Sequence, residues 1–131
     1  MLENFEIVSK SIADPSRVRI VKLLEQGELC VCQITAVLAL SAATISKHLS
    51  ILKNAGLLQQ RRDGKWVYYR LAGRELNPYA KPSLALISLI PSDDPTLADD
   101  LGRLKRVNAV PLQELCEQGL PPEPTCCGTS R

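Results

Sequence analysis

The stretch "SAATISKHLSILKNAG", residues 41–56, reads as one amphipathic helix. Ser41 offers an N-cap hydroxyl, and Gly56 offers a stop. Ile45, Leu49 and Leu52 recur at spacings of four and three and form an inward stripe; Thr44, Lys47, His48 and Ser50 spread over the remaining surface. Just before it, "CQITAVLAL", residues 32–40, sets Ile34, Val37 and Leu38 on one face of a shorter helix, with Cys30 lying just ahead of it. Only the residues around Leu40 and Ser41 join the two. A short helix, a tight junction and a second helix that is polar and basic outside form a helix-turn-helix.

Working downstream, "GLLQQRRDGKWVYYRL", residues 56–71, contains two β-prone runs around Asp63-Gly64, a dipeptide favoured in two-residue type I′ turns. Arg61, Arg62 and Lys65 sit at or beside the tip. A helix-turn-helix followed by a basic-tipped hairpin is a winged helix. Upstream, Leu2, Phe5, Ile7, Val8 and Ile12 make a loose helical stripe, and Asp14-Pro15-Ser16 caps a second helix that Gly27 closes. Towards the C-terminus the sequence predicts a helix near Pro82, another through Leu97, Leu101 and Leu104, and a short one from Pro111. The fold expected is mainly α with a small β-hairpin. Residues 1–110 are expected to form the winged helix-turn-helix domain, and residues 111–131 a short helix and a flexible tail that carries cysteines.

A chain of 131 residues suits one domain, and with aromatics at only 4% the packing falls to Leu, Ile, Val and Ala, as in a helical protein. The net charge of +2 hides an uneven distribution. Lys47, Lys53, Arg61, Arg62, Lys65, Arg70 and Arg74 face a lone acid, Asp63, in the middle of the chain, whereas acids dominate after Pro91. A polyanion is the natural partner of that basic middle, although a solvated surface accounts for the charge equally well. The N-terminus lacks the basic and apolar regions of an export signal, and no apolar run nears the roughly 18 to 20 residues of a membrane span. The expectation is a cytoplasmic protein with no membrane partner.

Cysteines number five, an odd count that argues for reduced thiols over a disulfide framework. They are Cys30, Cys32, Cys116 and the adjacent Cys126 and Cys127. Residues two apart on a helix lie about 200° apart around its axis, so thiols at Cys30 and Cys32 diverge if both are helical. Two sulfurs on one ion at roughly 2.3 Å, taking zinc as guide, lie at most about 4.6 Å apart. Either the segment is already irregular or a ligand unwinds the first turn of the helix. The bland alternative is that both thiols are core filler.

"ELCVCQI" (28–34), "SAATISKHLSILKNAGLL" (41–58) and "RRDGKWVYYRL" (61–71), in this order, resemble the ArsR/SmtB family of winged-helix metalloregulatory repressors, above all its arsenic-responsive branch. The resemblance covers Leu2 to Leu71 well and the remainder loosely. It implies a homodimer built on the first and last helices, binding of double-stranded operator DNA when empty, and release on binding trivalent arsenic or antimony. The family's inducer motif commonly has Asp where this chain has Gln33 and a third cysteine where it has Thr35. Cys30 and Cys32 then need a third sulfur, for which Cys116, Cys126, Cys127 or a small thiol are the candidates.

The resemblance also assigns Thr44, Ser46, Lys47, His48 and Lys53 of the reading helix, and Arg61, Arg62 and Lys65 of the wing, to DNA. His48 serves equally well as a helix-packing histidine. Relatives that bind zinc or cadmium between their last helices use His and acidic ligands, and a cadmium and lead branch adds cysteines from the N-terminal arm; this chain has a single histidine, His48, and no cysteine before Cys30. A thiol-redox, cadmium, zinc or lead response on the same fold is the alternative. A thiol enzyme with Cys30 as nucleophile lacks an anion cradle and a neighbouring histidine base, so the protein reads as a regulator and not an enzyme.

Overall fold

The computed structural model describes residues 1–119. Helices α1 (Leu2–Ser11) and α2 (Pro15–Leu24) lead to a two-residue strand β1 (Leu29–Cys30), then α3 (Val31–Leu38) and α4 (Ala42–Asn54). The wing follows as β2 (Leu58–Asp63) and β3 (Trp66–Leu71), and the chain continues through α5 (Ala80–Ser88), α6 (Pro95–Asn108) and α7 (Leu112–Gln118). The expected cap residues are in place. Asp14 accepts the Ser16 and Arg17 amides to start α2, and Ser41 accepts the Thr44 amide to start α4.

The axes of α3 and α4 differ by 114°, within the range of a helix-turn-helix. Their junction turns through Ala39, which holds the left-handed conformation at φ 57°. The core lies where α2, α3, α4 and the wing meet: Ile20, Val21, Ile34, Val37, Ile45, Leu52 and Leu57 are completely buried. Each such side chain contributes about 1.5–3 kcal/mol on leaving water, which is why the helical stripes fix the packing.

Two features depart from the sequence reading. The sheet has three antiparallel strands in the order β1-β3-β2, and β1 was not expected. The hairpin pairs Asp63 with Trp66, so its two loop residues are Gly64 and Lys65 and the turn sits one residue later than Asp63-Gly64. Only Gly64 takes positive φ, at 63°, which fits a type II′ turn with glycine first in place of the type I′ expected.

The C-terminal helices fold back on the domain. Arg19 of α2 holds Asp100 of α6 through two hydrogen bonds of 2.8 and 2.9 Å, with Asp100 only 2% exposed. Lys22 reaches the Ile90 carbonyl at 3.0 Å. Helix α6 grips both ends of α3: Gln33 donates to Asn108 at 3.3 Å, and Arg103 donates to the Val37 carbonyl at 3.1 Å. Helix α7, the start of the segment set apart by sequence, packs on α3 through buried Leu115. Most of the exposed large apolar residues lie elsewhere, on α1 (Leu2, Phe5 and Ile7) and at α5 (Leu86 and Leu89). Phe5 and Tyr79 meet edge to face at 5.5 Å and join those two surfaces. No single helix among the described residues is long and apolar enough to cross a membrane.

Candidate metal centre and nucleic-acid interface

Strand β1 answers the geometric problem of the two thiols. Cys30 pairs with Tyr68 of β3 and is extended, with φ −77° and ψ 152°; it is the N-cap of α3 and not part of it. Cys32 is the second residue of the helix. The divergence of about 200° applies only when both residues are helical, so no unwinding is required. Gln33 accepts the Cys30 amide at 2.8 Å, the role of the third helical residue in a capping box. Thr35 turns its hydroxyl to the Val31 carbonyl at 2.8 Å.

The third sulfur comes from the far end of the described chain. Helix α7 sets Cys116 against Cys32 with their Cα atoms 5.4 Å apart, and the two are joined as a disulfide. Cys30 is a free thiol, 1% exposed. The Sγ atoms of Cys30, Cys32 and Cys116 all lie within 4.8 Å of one another. That limit is close to the roughly 4.6 Å that one soft ion spans between two thiolates. With the Cys32–Cys116 bond reduced, the donor set is three thiolates, one buried and two half-buried. Cys126 and Cys127 lie outside the described residues.

His48 takes no part in this cluster. It is half-buried, and its Nδ1 lies 3.2 Å from an Arg17 Nη1. Guanidinium only donates, so Nδ1 accepts and the ring proton resides on Nε2. Arg17 also donates to the Ser11 and Lys10 carbonyls, locking the α1–α2 corner against α4. Burial acts to raise the nearby Asp14 carboxyl, but the Ser16 and Arg17 amides and the Arg17 charge outweigh it and leave the group below its ordinary value. His48 is thus tied to the α1–α2 corner through Arg17 and only partly exposed.

Thr44, Ser46 and Lys47 are exposed on α4. The Thr44 hydroxyl receives the Ser41 hydroxyl at 2.9 Å, so it belongs to the cap as well as to the surface. Lys53 donates to Gln60 at 2.8 Å, tying the end of α4 to β2. Arg61 departs most from a free wing-tip cation: it grips Glu28 through bonds of 2.7 and 2.8 Å and lies 4.4 Å from the centre of the Tyr68 ring. The hydrogen bond from Arg61 holds the Glu28 carboxyl below its ordinary value. Sequence reasoning missed Glu28 because its partner stands across the sheet, 33 residues away.

Arg62 and Lys65 are exposed, Lys65 above the Trp66 ring at 5.7 Å. Between the wing and α4 runs a cleft of about 350 Å³ lined by Cys30, Cys32, Ser46, Arg62 and Lys65 among others. The thiols and the basic surface therefore share a border. Tyr69, on the opposite face of β3 from Tyr68, is buried in the core, and burial raises its hydroxyl above the ordinary value.

Residues 14–60, which hold α2 to the start of β2, match the model of the bacterial regulatory protein, arsR family. The chain is 38% identical over 108 residues to the arsenic resistance transcriptional regulator ArsR2 of Pseudomonas putida, covering 82% of this chain and 91% of that one. It is 53% identical over 66 residues to ArsR1 of the same organism, covering 50% of this chain and about half, 52%, of that relative. Cadmium resistance regulators named CadC also match over part of their length. Among solved structures, the homodimeric winged helix-turn-helix domain of a possible ArsR-family regulator from Mycobacterium bovis superimposes with a TM-score of 0.58 at 34% identity, over 68% of this chain and 79% of that one. With a three-stranded winged helix-turn-helix on the page and a relative matched almost from end to end, the chain belongs to the ArsR family of DNA-binding transcriptional regulators.

Proposed function

We propose that this protein is a cytoplasmic repressor that binds double-stranded operator DNA as a homodimer and releases it when Cys30, Cys32 and Cys116 take up trivalent arsenic or antimony. The observation that carries the reading is the approach of those three sulfurs to within 4.8 Å of one another. Trivalent arsenic makes three covalent bonds and keeps a lone pair, so three thiolates in a pyramid complete its shell. Three thiol protons leave with three arsenic-bound hydroxides as water, with no change of oxidation state. Cadmium, zinc and lead also favour thiolates, and a response to one of them is the alternative within this site.

The site touches both DNA-reading elements. Helix α3 braces α4 through Ile34, Val37, Ile45 and Leu49, and β1 is laddered to the wing strand β3. A ligand that draws α7 onto the start of α3 shifts the helix and the strand together, and its preference for the shifted form weakens DNA binding by the amount DNA weakens ligand binding. A coupling of about 3 kcal/mol gives roughly 150-fold relief. Thr44, Ser46 and Lys47 of the reading helix, with Arg62 and Lys65 of the wing, are the DNA contacts in this reading. The exposed apolar residues of α1 and α5 form the dimer face, setting two reading helices near one DNA turn, about 34 to 36 Å.

The experiment is an operator-release titration of reduced protein with arsenite, antimonite, cadmium and zinc. Arsenite and antimonite release the DNA first, and Cys116→Ser raises the concentration required by roughly tenfold or more. The Cys32–Cys116 disulfide favours a second reading, a redox switch in which peroxide takes two protons and two electrons from the thiols and leaves as water. That reading demands release by peroxide and indifference to arsenite.

A further inference from the structure

We propose that Glu28 is a brake on DNA binding: its carboxylate fills the fork of the Arg61 guanidinium that a DNA phosphate would otherwise take, and so keeps one wing cation off the nucleic acid. The inference rests on the DNA-binding half of the reading above and is independent of the metalloid. Tyr68 pairs with Cys30 on one side and with Arg61 on the other, so the three stand in one row across the sheet. Residues directly opposite in neighbouring strands project to the same face. Arg61 crosses that row: its guanidinium lies 4.4 Å from the centre of the Tyr68 ring and reaches Glu28, just ahead of β1, on the far side. Arg62 projects to the other face of β2 and lines the cleft against α4. Extending the register one step sets Glu28 beside Arg70, further from the Asp63–Trp66 end than Arg61 itself, so the bond draws the guanidinium back from the wing tip.

The bond is of the kind that phosphate makes. Arg61 Nε donates to one Glu28 oxygen at 2.8 Å and Nη2 to the other at 2.7 Å, two charge-assisted bonds in the fork geometry that carboxylate and phosphate share. With that fork filled, an approaching phosphate meets a pair of zero net charge and the repulsion of the carboxylate beside it. Of Arg61, Arg62 and Lys65, only Arg61 is in an ion pair among the described residues. Exposure favours a brake over a structural tie. The Arg61 and Glu28 side chains are 51% and 27% exposed, so water screens the pair and it adds little to the fold, while a phosphate can still reach the guanidinium once the carboxylate is gone.

The test is the fluorescence anisotropy of a labelled random-sequence duplex with full-length protein, a probe chosen because a phosphate contact carries no sequence information. Glu28→Gln keeps the shape of the side chain and removes its charge. It should bind about tenfold more tightly than wild type at about 50 mM salt and only about threefold more tightly at about 200 mM, because one added phosphate contact steepens the slope of log affinity against log salt by about 0.9. The gain should need Arg61: Glu28→Gln combined with Arg61→Ala should match Arg61→Ala alone within about twofold at both salt concentrations. Weaker binding by Glu28→Gln, an unchanged salt slope, or the same gain in the Arg61→Ala background overturns the proposal and leaves the DNA-binding reading standing. If neither wild type nor Glu28→Gln binds duplex DNA at any salt concentration, that reading falls and the proposal with it.

Discussion

The helix-turn-helix with its wing and the α6–α7 arm are held in place by different forces. The former closes around completely buried aliphatic side chains from α2, α3 and α4 and around a continuous strand ladder. The latter hangs on the Arg19–Asp100 pair, the Gln33–Asn108 and Arg103–Val37 hydrogen bonds, a few leucines and valines, and the sulfur link to Cys32. A domain built on buried area and an arm built on a few directional bonds can be loosened separately. In a ligand-operated switch the arm is the part whose equilibrium a single coordinated atom shifts.

The largest effect expected from breaking this contrast is on the sensing side. Cys32→Ser removes the sulfur central to the cluster and should raise the arsenite needed for operator release by roughly 100-fold, while the ligand-free protein keeps its DNA affinity; fluorescence anisotropy measures both. Next, Asp100→Ala leaves Arg19 without its partner. Breaking a buried pair typically costs about 3–5 kcal/mol, and with Arg19 22% exposed the loss should be about 2–3 kcal/mol in urea unfolding. Because α6 carries α7, the same variant should respond less to arsenite. If it is destabilised yet fully responsive, the arm is not what couples ligand to DNA.

On the reading side the effects are smaller and differ in kind. Arg62→Ala and Lys65→Ala should each reduce the slope of log affinity against log salt by about 0.9 without altering the arsenite midpoint. Arg61→Ala should reduce it less, since Glu28 already neutralises that guanidinium. The smallest effect concerns pH. The Glu28 carboxyl has a lowered folded-state pKa, so its contribution is fully present above the unfolded value of about 4.5 and is lost as pH falls through the lower folded value. Acid should therefore release the Arg61 side chain from Glu28 before the domain unfolds, seen as faster exchange of the Arg61 Nε proton by NMR, and Glu28→Gln should show that faster exchange at neutral pH.

Local periodicity made the helix-turn-helix legible. Ile45, Leu49 and Leu52 declare a helix face without help from the rest of the chain, and Ser41, Gly56 and Asp14 mark ends by chemistry that acts within three residues. Strand β1 was hidden for the opposite reason: two residues show no alternation, and their partners Tyr68 and Tyr69 stand some forty residues on. The hairpin was visible but its turn slipped by one, because Asp-Gly is locally favoured while the ladder from Trp66 sets the register. Cys116 was one of several thiols able to complete the set, and the docking of α6 on α2 and α3, through long-range pairs such as Arg19–Asp100 and Arg103–Val37, brings it to Cys32. Glu28 carried no local sign of its bond to Arg61.

In the proposed switch one inducer atom draws its sulfurs from two elements far apart in sequence, the β1–α3 corner and α7. X-ray absorption on reduced, arsenite-loaded protein counts those sulfurs directly. Wild-type protein should show three and Cys116→Ser two. Three sulfurs in both proteins, or two in the wild type, would contradict it.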